Sequence, residues 1–195
     1  MSRTLTELLQ KVRACRICED SLELGARPVL QAADAARVLI AGQAPGRRVH
    51  ESGVPFDDAS GERLRDWLGV SRETFYDPSR VAILPLGFCY PGTGRSGDLP
   101  PRPECAAEWR QRLMEQLPAV RLTLVVGQHA ARWHLQSGTT SLTDLVRDWR
   151  RFTPRAIPLP HPSPRNNIWL AKNPWFEEDV LPYLRRRVRA CLRDR

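Results

Sequence analysis

The chain has 195 residues, a length typical of one domain and sufficient for a buried core without disulfide staples. Its composition, 42% hydrophobic and 27% charged, is ordinary for a globular protein, and no stretch approaches the apolar length of a membrane span. The net charge of +8 suits a polyanionic partner such as nucleic acid. The N-terminal segment lacks the apolar core of a signal peptide, which favours a cytoplasmic protein.

Apolar periodicity and capping residues predict the first elements. A helix is predicted from Thr4 to Ala14, with Thr4 as its N-cap and Glu7 completing a capping box. A buried strand over residues 37–41 follows an irregular stretch, and a second helix is predicted from Ser60 to Gly69.

A second strand is predicted from Val81 to Leu86. The Gly- and Pro-rich loop that leads from it to Pro103 is expected to lack regular structure. A loop of this length in a compact domain is usually functional or tied down, and cysteines lie at both of its ends.

The remaining elements alternate between helix and strand. The predicted strands are Leu122–Val126 and Ala156–Leu159, and the predicted helices cover 103–117, 128–134, 141–150, 168–171 and 175–193. Pro158 suggests that the last strand lies at an edge of the sheet or ends early. This alternation predicts a single three-layer α/β/α domain over residues 1–195, built on a four-stranded parallel sheet.

The turn from Gly42 to Gly46, Gly-Gln-Ala-Pro-Gly, follows the first predicted strand directly. Open α/β sheets bind their ligands at this end of their strands. No Gly-Lys-Ser/Thr sequence follows, so the turn is not a phosphate-binding P-loop, and read alone it is equally compatible with an ordinary strand-to-helix turn.

Four of the five cysteines form a candidate metal site, namely Cys15, Cys18, Cys89 and Cys105. The odd cysteine count and the absence of an export signal argue against a disulfide framework. Four thiols suit a 4Fe–4S cluster or a tetrahedral zinc ion, and four buried structural thiols without metal are the third possibility. Cys191, on the last predicted helix, is expected to belong to the core.

Four features, in their order along the chain, resemble the uracil-DNA glycosylase superfamily, and most closely its iron–sulfur branch of the family-four type. They are the Gly42–Gly46 turn, Pro55-Phe56, the four cysteines, and the segment His161-Pro162-Ser163-Pro164-Arg165-Asn166. The resemblance runs from about Cys15 to the C-terminal helix. It favours the 4Fe–4S cluster over zinc or no metal, in a structural role that ties the Gly/Pro loop to the N-terminal helix.

The resemblance also implies roles for residues around the turn. His161 would hydrogen-bond the anion that develops on the departing base. Phe56 would stack on the extruded base, and Gly42, Gln43 and Ala44 would contact the base and the attacking water.

Basic residues are expected to hold the DNA backbone. Ser163 and Arg165 would contact the phosphates beside the flipped nucleotide. Arg47 and Arg48 are expected to line the DNA path, in preference to the run from Arg185 to Arg187, which is more typical of a solvated helix face.

The sequence departs from the superfamily pattern at two base-pocket positions. Ala44 replaces the Asp or Asn with which many members position water, although the iron–sulfur branch also has Ala there. Pro85 occupies the position of an Asn that reads the edge of uracil in that branch, and proline offers neither a side-chain donor nor an N–H. Selectivity for uracil is therefore expected to be weak or altered, with recognition left to backbone groups of residues 42–44 and 86–88.

The expected function is a DNA glycosylase of base-excision repair that removes a flipped, deaminated base, either uracil or a related one. No lysine nucleophile lies in the motifs, so hydrolysis is expected rather than a lyase reaction. The expected partner is DNA with a damaged base. The protein is expected to act as a monomer and not to bind a membrane. The alternative is a nucleic-acid-binding relative whose catalysis has been lost or redirected.

Overall fold

A four-stranded parallel sheet forms the centre of the molecule. The computed structural model describes residues 2–95 and 97–193. The strand order is β2-β1-β5-β6, with β1 Val38–Ala41, β2 Val81–Ile83, β5 Leu122–Val126 and β6 Ala156–Leu159. Val38 pairs with Val81 on one side and with Leu122 on the other. The predicted parallel sheet is confirmed, and β6 is an edge strand, as Pro158 suggested.

Helices cover both faces of this sheet. Their bounds are α1 Arg3–Arg13, α2 Arg47–Ser52, α3 Ala59–Leu68, α4 Arg72–Tyr76, α5 Pro103–Cys105, α6 Gln111–Glu115, α7 Gln128–His134, α8 Leu142–Arg147, α9 Asn167–Lys172 and α10 Leu181–Arg193. A π-helical segment, Ala106–Arg110, joins α5 to α6, and a second one, Phe176–Val180, leads into α10. Among the described residues, no helix is both long enough and apolar enough to cross a membrane.

The strands are buried on both faces, as expected for a parallel sheet covered by helices. One face packs Val38 and Ile40 into a core that includes Trp67 and Phe176. The opposite face packs Leu39 into a second core with α1 and the α5–α6 segment. Cys191 is buried in the first core, as predicted.

Strand β2 ends at Ile83, earlier than the predicted Leu86, although its hydrogen bonds to the β1 side continue beyond that residue. Beyond Ile83, the N–H of Leu84 donates to Ile40 and that of Leu86 donates to Gly42. Pro85, between them, has no N–H to contribute.

Other local predictions need correction. The N-cap of α1 is Ser2, whose Oγ accepts a 3.2 Å hydrogen bond from Leu5 N–H, so the capping box at Thr4 is wrong. Helices α2 and α4 were not predicted. The loop expected to lack regular structure contains a short antiparallel hairpin, β3 Thr93–Gly94 and β4 Gly97–Asp98.

Candidate active site

A cavity of about 230 Å³ opens at the carboxyl end of the sheet. It brings together the turn after β1, Pro85 after β2, and the segment after β6 that carries His161. The predicted site residues that line it are Gly42, Gln43, Ala44, Phe56, Pro85, His161, Ser163 and Arg165. Residues far apart in sequence therefore share one pocket.

The turn after β1 is held by hydrogen bonds to the segment after β2. The carbonyl of Gly42 accepts from Leu86 N–H at 3.1 Å, and that of Gln43 accepts from Gly87 N–H at 2.9 Å. The N–H of Phe88 donates to the sulfur of Cys105 at 3.3 Å. The N–H groups of residues 86–88 are thus already bound, and none of these three residues lines the pocket. The amides of the turn itself are the remaining backbone candidates.

The side chain of Gln43 has a structural partner next to the pocket. Its Oε1 accepts a 3.4 Å hydrogen bond from the N–H of His129, in the first turn of α7. Gly127, which precedes α7, has φ +88°, and a Cβ there would lie 2.9 Å from the carboxamide carbon of Gln43. Glycine at 127 therefore makes room for Gln43.

Phe56 is held in an unusual backbone conformation at the pocket wall. Its φ is +56°, a region that bulky side chains rarely adopt and that is often found at binding sites. Its carbonyl accepts a 3.2 Å hydrogen bond from the hydroxyl of Tyr76, and α3 approaches it so closely at Gly61 that no Cβ would fit. The ring packs edge-on against Phe75. Phe56 therefore both packs on the core and presents surface to the pocket.

His161 is oriented by its own loop. Ser163 N–H donates to Nδ1 at 3.3 Å, and the Asn166 side chain donates to the His161 carbonyl at 2.7 Å. Burial lowers the pKa of His161, while the carboxylates of Asp58 and Asp98 oppose that shift. The imidazole is therefore neutral at neutral pH, and because Nδ1 accepts, its proton lies on Nε2. Nε2–H is the donor that remains for a ligand.

An arginine from α3 braces the segment that follows His161. Arg63 donates to the Ser163 carbonyl at 3.1 Å and to the side chain of Asn167 at 2.8 Å. The Ser163 hydroxyl accepts from Arg165 N–H at 3.3 Å, and the Arg165 side chain is exposed at the pocket mouth. Sequence analysis did not identify Arg63, since one arginine on an amphipathic helix resembles any solvated residue.

The backbone carbonyl of Pro85 is bound by a buried arginine. The guanidinium of Arg110 donates to the carbonyls of Leu84 and Pro85 and contacts Nε2 of His134. Burial lowers the pKa of Arg110 to about 9, which leaves it charged at neutral pH. The wall of the pocket at Pro85 is therefore supported by a charge that the sequence pattern did not reveal.

Arg47 and Arg48 lie outside the pocket lining. Both are exposed in the first turn of α2, and Arg47 forms a 3.1 Å ion pair with Glu51. In the C-terminal run, Arg185 donates to Asp66 and Arg187 to the carbonyl of Pro154. Those two side chains thus bind neighbouring elements of the same chain.

The four cysteines of the candidate metal site line one small cavity, which brings the Cys15–Cys18 pair next to Cys89 and Cys105. Two of their sulfurs already accept hydrogen bonds: Cys15 from the indole N–H of Trp109 at 3.3 Å, and Cys105 from Phe88 N–H. Donors of this kind favour the thiolate form, as around iron–sulfur clusters.

The protonation of these thiols depends on a compensating charge. Burial, together with the smaller effect of the neighbouring cysteines, raises the pKa of Cys89 to about 11 and that of Cys105 to about 12. A bound cation would be needed to hold them as thiolates. Among the described residues, no group of three or more Cys, His, Asp or Glu converges tightly enough to hold a single metal ion. A cluster of several atoms does not require its four ligands to converge on one point.

Two acidic residues of the pocket were not among the predicted site residues, Asp58 and Asp98. Asp58 lies two residues after Phe56, next to a motif that the sequence analysis identified. Asp98 lies in the Gly/Pro loop that its length marked as functional or tied down. The sequence thus marked both segments without identifying the residues.

Comparison with known families agrees with this geometry. The sequence model of the uracil DNA glycosylase superfamily matches residues 30–185, which include the turn after β1, Phe56, Pro85 and His161. Cys15 and Cys18 precede the matched range, so the match does not bear on the four-cysteine set. The superfamily hydrolyses N-glycosidic bonds in DNA, which supports a DNA glycosylase-like function in repair. The chain belongs to the uracil DNA glycosylase superfamily.

Proposed function

We propose that the protein is a monofunctional DNA glycosylase that hydrolyses the N-glycosidic bond of a flipped, deaminated base. The observation that carries this proposal is the neutral imidazole of His161, with Nε2–H as its free donor, in the same pocket as Phe56. A base inside a duplex cannot reach such a pocket, so the nucleotide must rotate out of the stack.

Each part of the pocket has a step in this reaction. Phe56 stacks on the flipped base, and Ser163 and Arg165 hold the phosphates beside it. As the glycosidic bond breaks, negative charge develops on the base, and Nε2–H of His161 stabilises it through a hydrogen bond. A neutral donor does this without adding a buried positive charge.

Hydrolysis is favoured over a lyase reaction. A lyase needs an amine nucleophile, and the only two lysines of the sequence are Lys11 and Lys172. Neither lines the pocket. Water is therefore the nucleophile in this proposal.

The selectivity of the pocket for different bases depends on Pro85. With no amide side chain at this position, the pocket hydrogen-bonds the edge of uracil less strongly than a site that has one. It also rejects other bases less strongly, because no buried amide is left unpaired when another base is bound. We therefore propose weak or altered uracil selectivity, with related deaminated bases such as hypoxanthine and xanthine among the substrates. The branch of the superfamily that this chain most resembles is the iron–sulfur one.

We also propose that Cys15, Cys18, Cys89 and Cys105 hold a 4Fe–4S cluster. Four thiols on one cavity, two of them accepting N–H donors, match the ligand chemistry of such clusters. A tetrahedral zinc site would need the four sulfurs at about 2.3 Å from one point, an arrangement that the described residues do not show. The cluster would supply no chemistry to the reaction; the cysteines would tie α1 to the loop that carries Asp98.

A second candidate function is DNA binding without base excision. It is favoured by Pro85 and Ala44, which remove two side chains that related enzymes use for recognition and for water. Both candidates predict binding to DNA, so only product formation separates them.

The test uses duplex and single-stranded oligonucleotides that carry uracil, hypoxanthine, xanthine or an oxidised base. Release of a free base, followed by alkali-sensitive strand breaks, supports the glycosylase if His161→Ala abolishes it while the circular dichroism spectrum stays native. Binding with no base released from any oligonucleotide supports the second candidate.

A further inference from the structure

The pocket lacks a polar side chain at the position where many related enzymes orient the attacking water. That position is Ala44, whose methyl group can neither accept nor donate a proton. A hydrolytic reaction still needs an acceptor for the proton that water loses when it attacks C1′ of the sugar. Among the described residues that line the pocket, only Asp58 and Asp98 carry carboxylates.

Asp58 already has a structural task. It is the N-cap of α3, and its Oδ1 accepts a 2.9 Å hydrogen bond from Gly61 N–H. It directly follows the segment that holds Phe56, on the side of the pocket where the base would stack. Moving this carboxylate toward a water molecule would break the hydrogen bond that caps α3 and would destabilise the first turn of the helix.

Asp98 is differently placed. It lies in β4 at the pocket mouth, and its carboxylate makes no hydrogen bond or ion pair with the other residues that the structure describes. It lines both the base pocket and the polar cavity that continues from it, and it shares both with Ala44, His161 and Arg165. This exposed carboxylate shares the cavity with Arg165, a proposed phosphate contact, and is available to a solvent molecule.

Contacts at two neighbouring glycines show where the carboxylate of Asp98 lies. A Cβ built at Gly46 would lie 3.5 Å from Oδ2 of Asp98, which places the carboxylate over the end of the Gly42–Gly46 turn. Gly97 has φ +133°, and the guanidinium of Arg165 packs where a side chain there would stand. The charge of Asp98 also reaches His161 and opposes the lowering of its pKa by burial. Asp98 and His161 thus face the same space from different segments.

We propose that Asp98 is the general base of the reaction, an inference that rests on the glycosylase function proposed above. The N-glycosidic bond breaks, and its electron pair leaves with the base, whose anion is stabilised by His161. The water oxygen bonds to C1′ of the sugar, and its proton passes to the Asp98 carboxylate and then to solvent. The negative charge of Asp98 also stabilises the positive charge that develops on the sugar ring.

The test compares Asp98→Asn and Asp98→Ala with the wild type in single-turnover base release. A matched control is Asp66→Asn, which removes a carboxylate from the outer face of α3, where Asp66 is 79% exposed. Positioned acid–base groups contribute about 10²-fold or more, so both Asp98 variants should release base at least about 10²-fold more slowly. The control should match the wild type.

Two further readouts separate catalysis from a structural role. Binding to a duplex with a non-hydrolysable 2′-fluoro analogue of the substrate nucleotide should be no weaker in Asp98→Asn, because removing a negative charge does not weaken contact with DNA. Added formate, a small carboxylate, should restore part of the rate of Asp98→Ala and none of that of His161→Ala.

The outcomes are distinct. A wild type that releases no base from any oligonucleotide overturns the proposed function and this inference with it. An active wild type whose rate is unchanged by Asp98→Asn overturns this inference alone. A rate loss that is matched by an equal loss of analogue binding, with no rescue by formate, also overturns it.

Discussion

The guanidinium of Arg110, which does not line the pocket, donates a 3.1 Å hydrogen bond to the carbonyl of Pro85. The same guanidinium also binds the carbonyl of Leu84. Residue 85 is therefore anchored through its backbone oxygen, and its side chain lines the base pocket. A different side chain at this position would enter the pocket while the backbone keeps its support.

Pro85→Asn is expected to raise excision of uracil. The new carboxamide offers a donor and an acceptor that the side chain of Pro85 lacks. The substitution also adds a backbone N–H, and it breaks no hydrogen bond of residue 85, because proline has no N–H to donate. A hydrogen-bonded edge is worth about tenfold or more in selectivity, so the kcat/KM ratio of uracil to hypoxanthine should rise by at least that factor. An unchanged ratio in a folded variant would show that residue 85 does not face the base.

Phe56→Ala is expected to lower turnover on every substrate. Stacking of a base on an aromatic ring contributes about 1–3 kcal/mol, and it does not depend on which base is bound. The kcat/KM should therefore fall about 5- to 100-fold for uracil, hypoxanthine and xanthine alike. Phe152→Ala is the matched control, because Phe152 packs in the separate cluster beside β6. A loss confined to one base would contradict a stacking role.

Cys89→Ser is expected to remove the iron. The purified wild type should be brown, with a broad visible absorption and about four iron atoms per chain. Cys89→Ser should bleach this colour and increase proteolysis of the loop between residues 90 and 102, whereas Cys191→Ser, in the other core, should keep the iron. One zinc and no iron in the wild type would overturn the cluster.

The stability of the protein is expected to fall in acid through His134. Burial, and then the guanidinium of Arg110, lower the pKa of His134 from 6.5 to about 3. Below pH 6.5 the unfolded chain binds a proton that the folded chain excludes, so this contribution is complete above that pH and is lost as the pH falls toward 3.

His134→Gln tests this dependence, because glutamine can accept a hydrogen bond from Arg110 but does not titrate. The free energy of unfolding in urea should fall more steeply with acid in the wild type, by at most about 1.4 kcal/mol per pH unit. His50, His129 and His161 also have a lowered pKa and titrate in both proteins, so the difference isolates His134. Parallel slopes would contradict the shift.

Sequence was sufficient where one strong pattern decides the structure. The runs that form β5 and β6 are apolar and bounded by turn residues, and their predicted limits agree with the structure. Helix α2 was missed because its six residues, Arg47–Ser52, carry no apolar period, and it is positioned by the turn before it. The N-cap of α1 was assigned to Thr4 instead of Ser2 because serine and threonine both cap helices well, so residue type alone does not choose between them.

The candidate site was predictable only in part, and for a similar reason. Resemblance located Phe56 and His161, which lie in ordered motifs. Arg110 and Asp98 depend on tertiary contacts: a charged residue on a helix usually indicates solvent, yet Arg110 is fully buried. Asp98 lies in a loop that only the fold brings to the pocket.

In the proposed reaction, the neutral imidazole of His161 stabilises the departing base. This role is tested most directly by the single-turnover rate of base release from a uracil- or hypoxanthine-containing duplex, for the wild type and for His161→Ala. Removing one such donor costs about 10²–10³ in rate, so the variant should be slower by that factor while it still binds the duplex and unfolds as the wild type does. Equal rates for the two proteins on a substrate that both cleave would contradict the account.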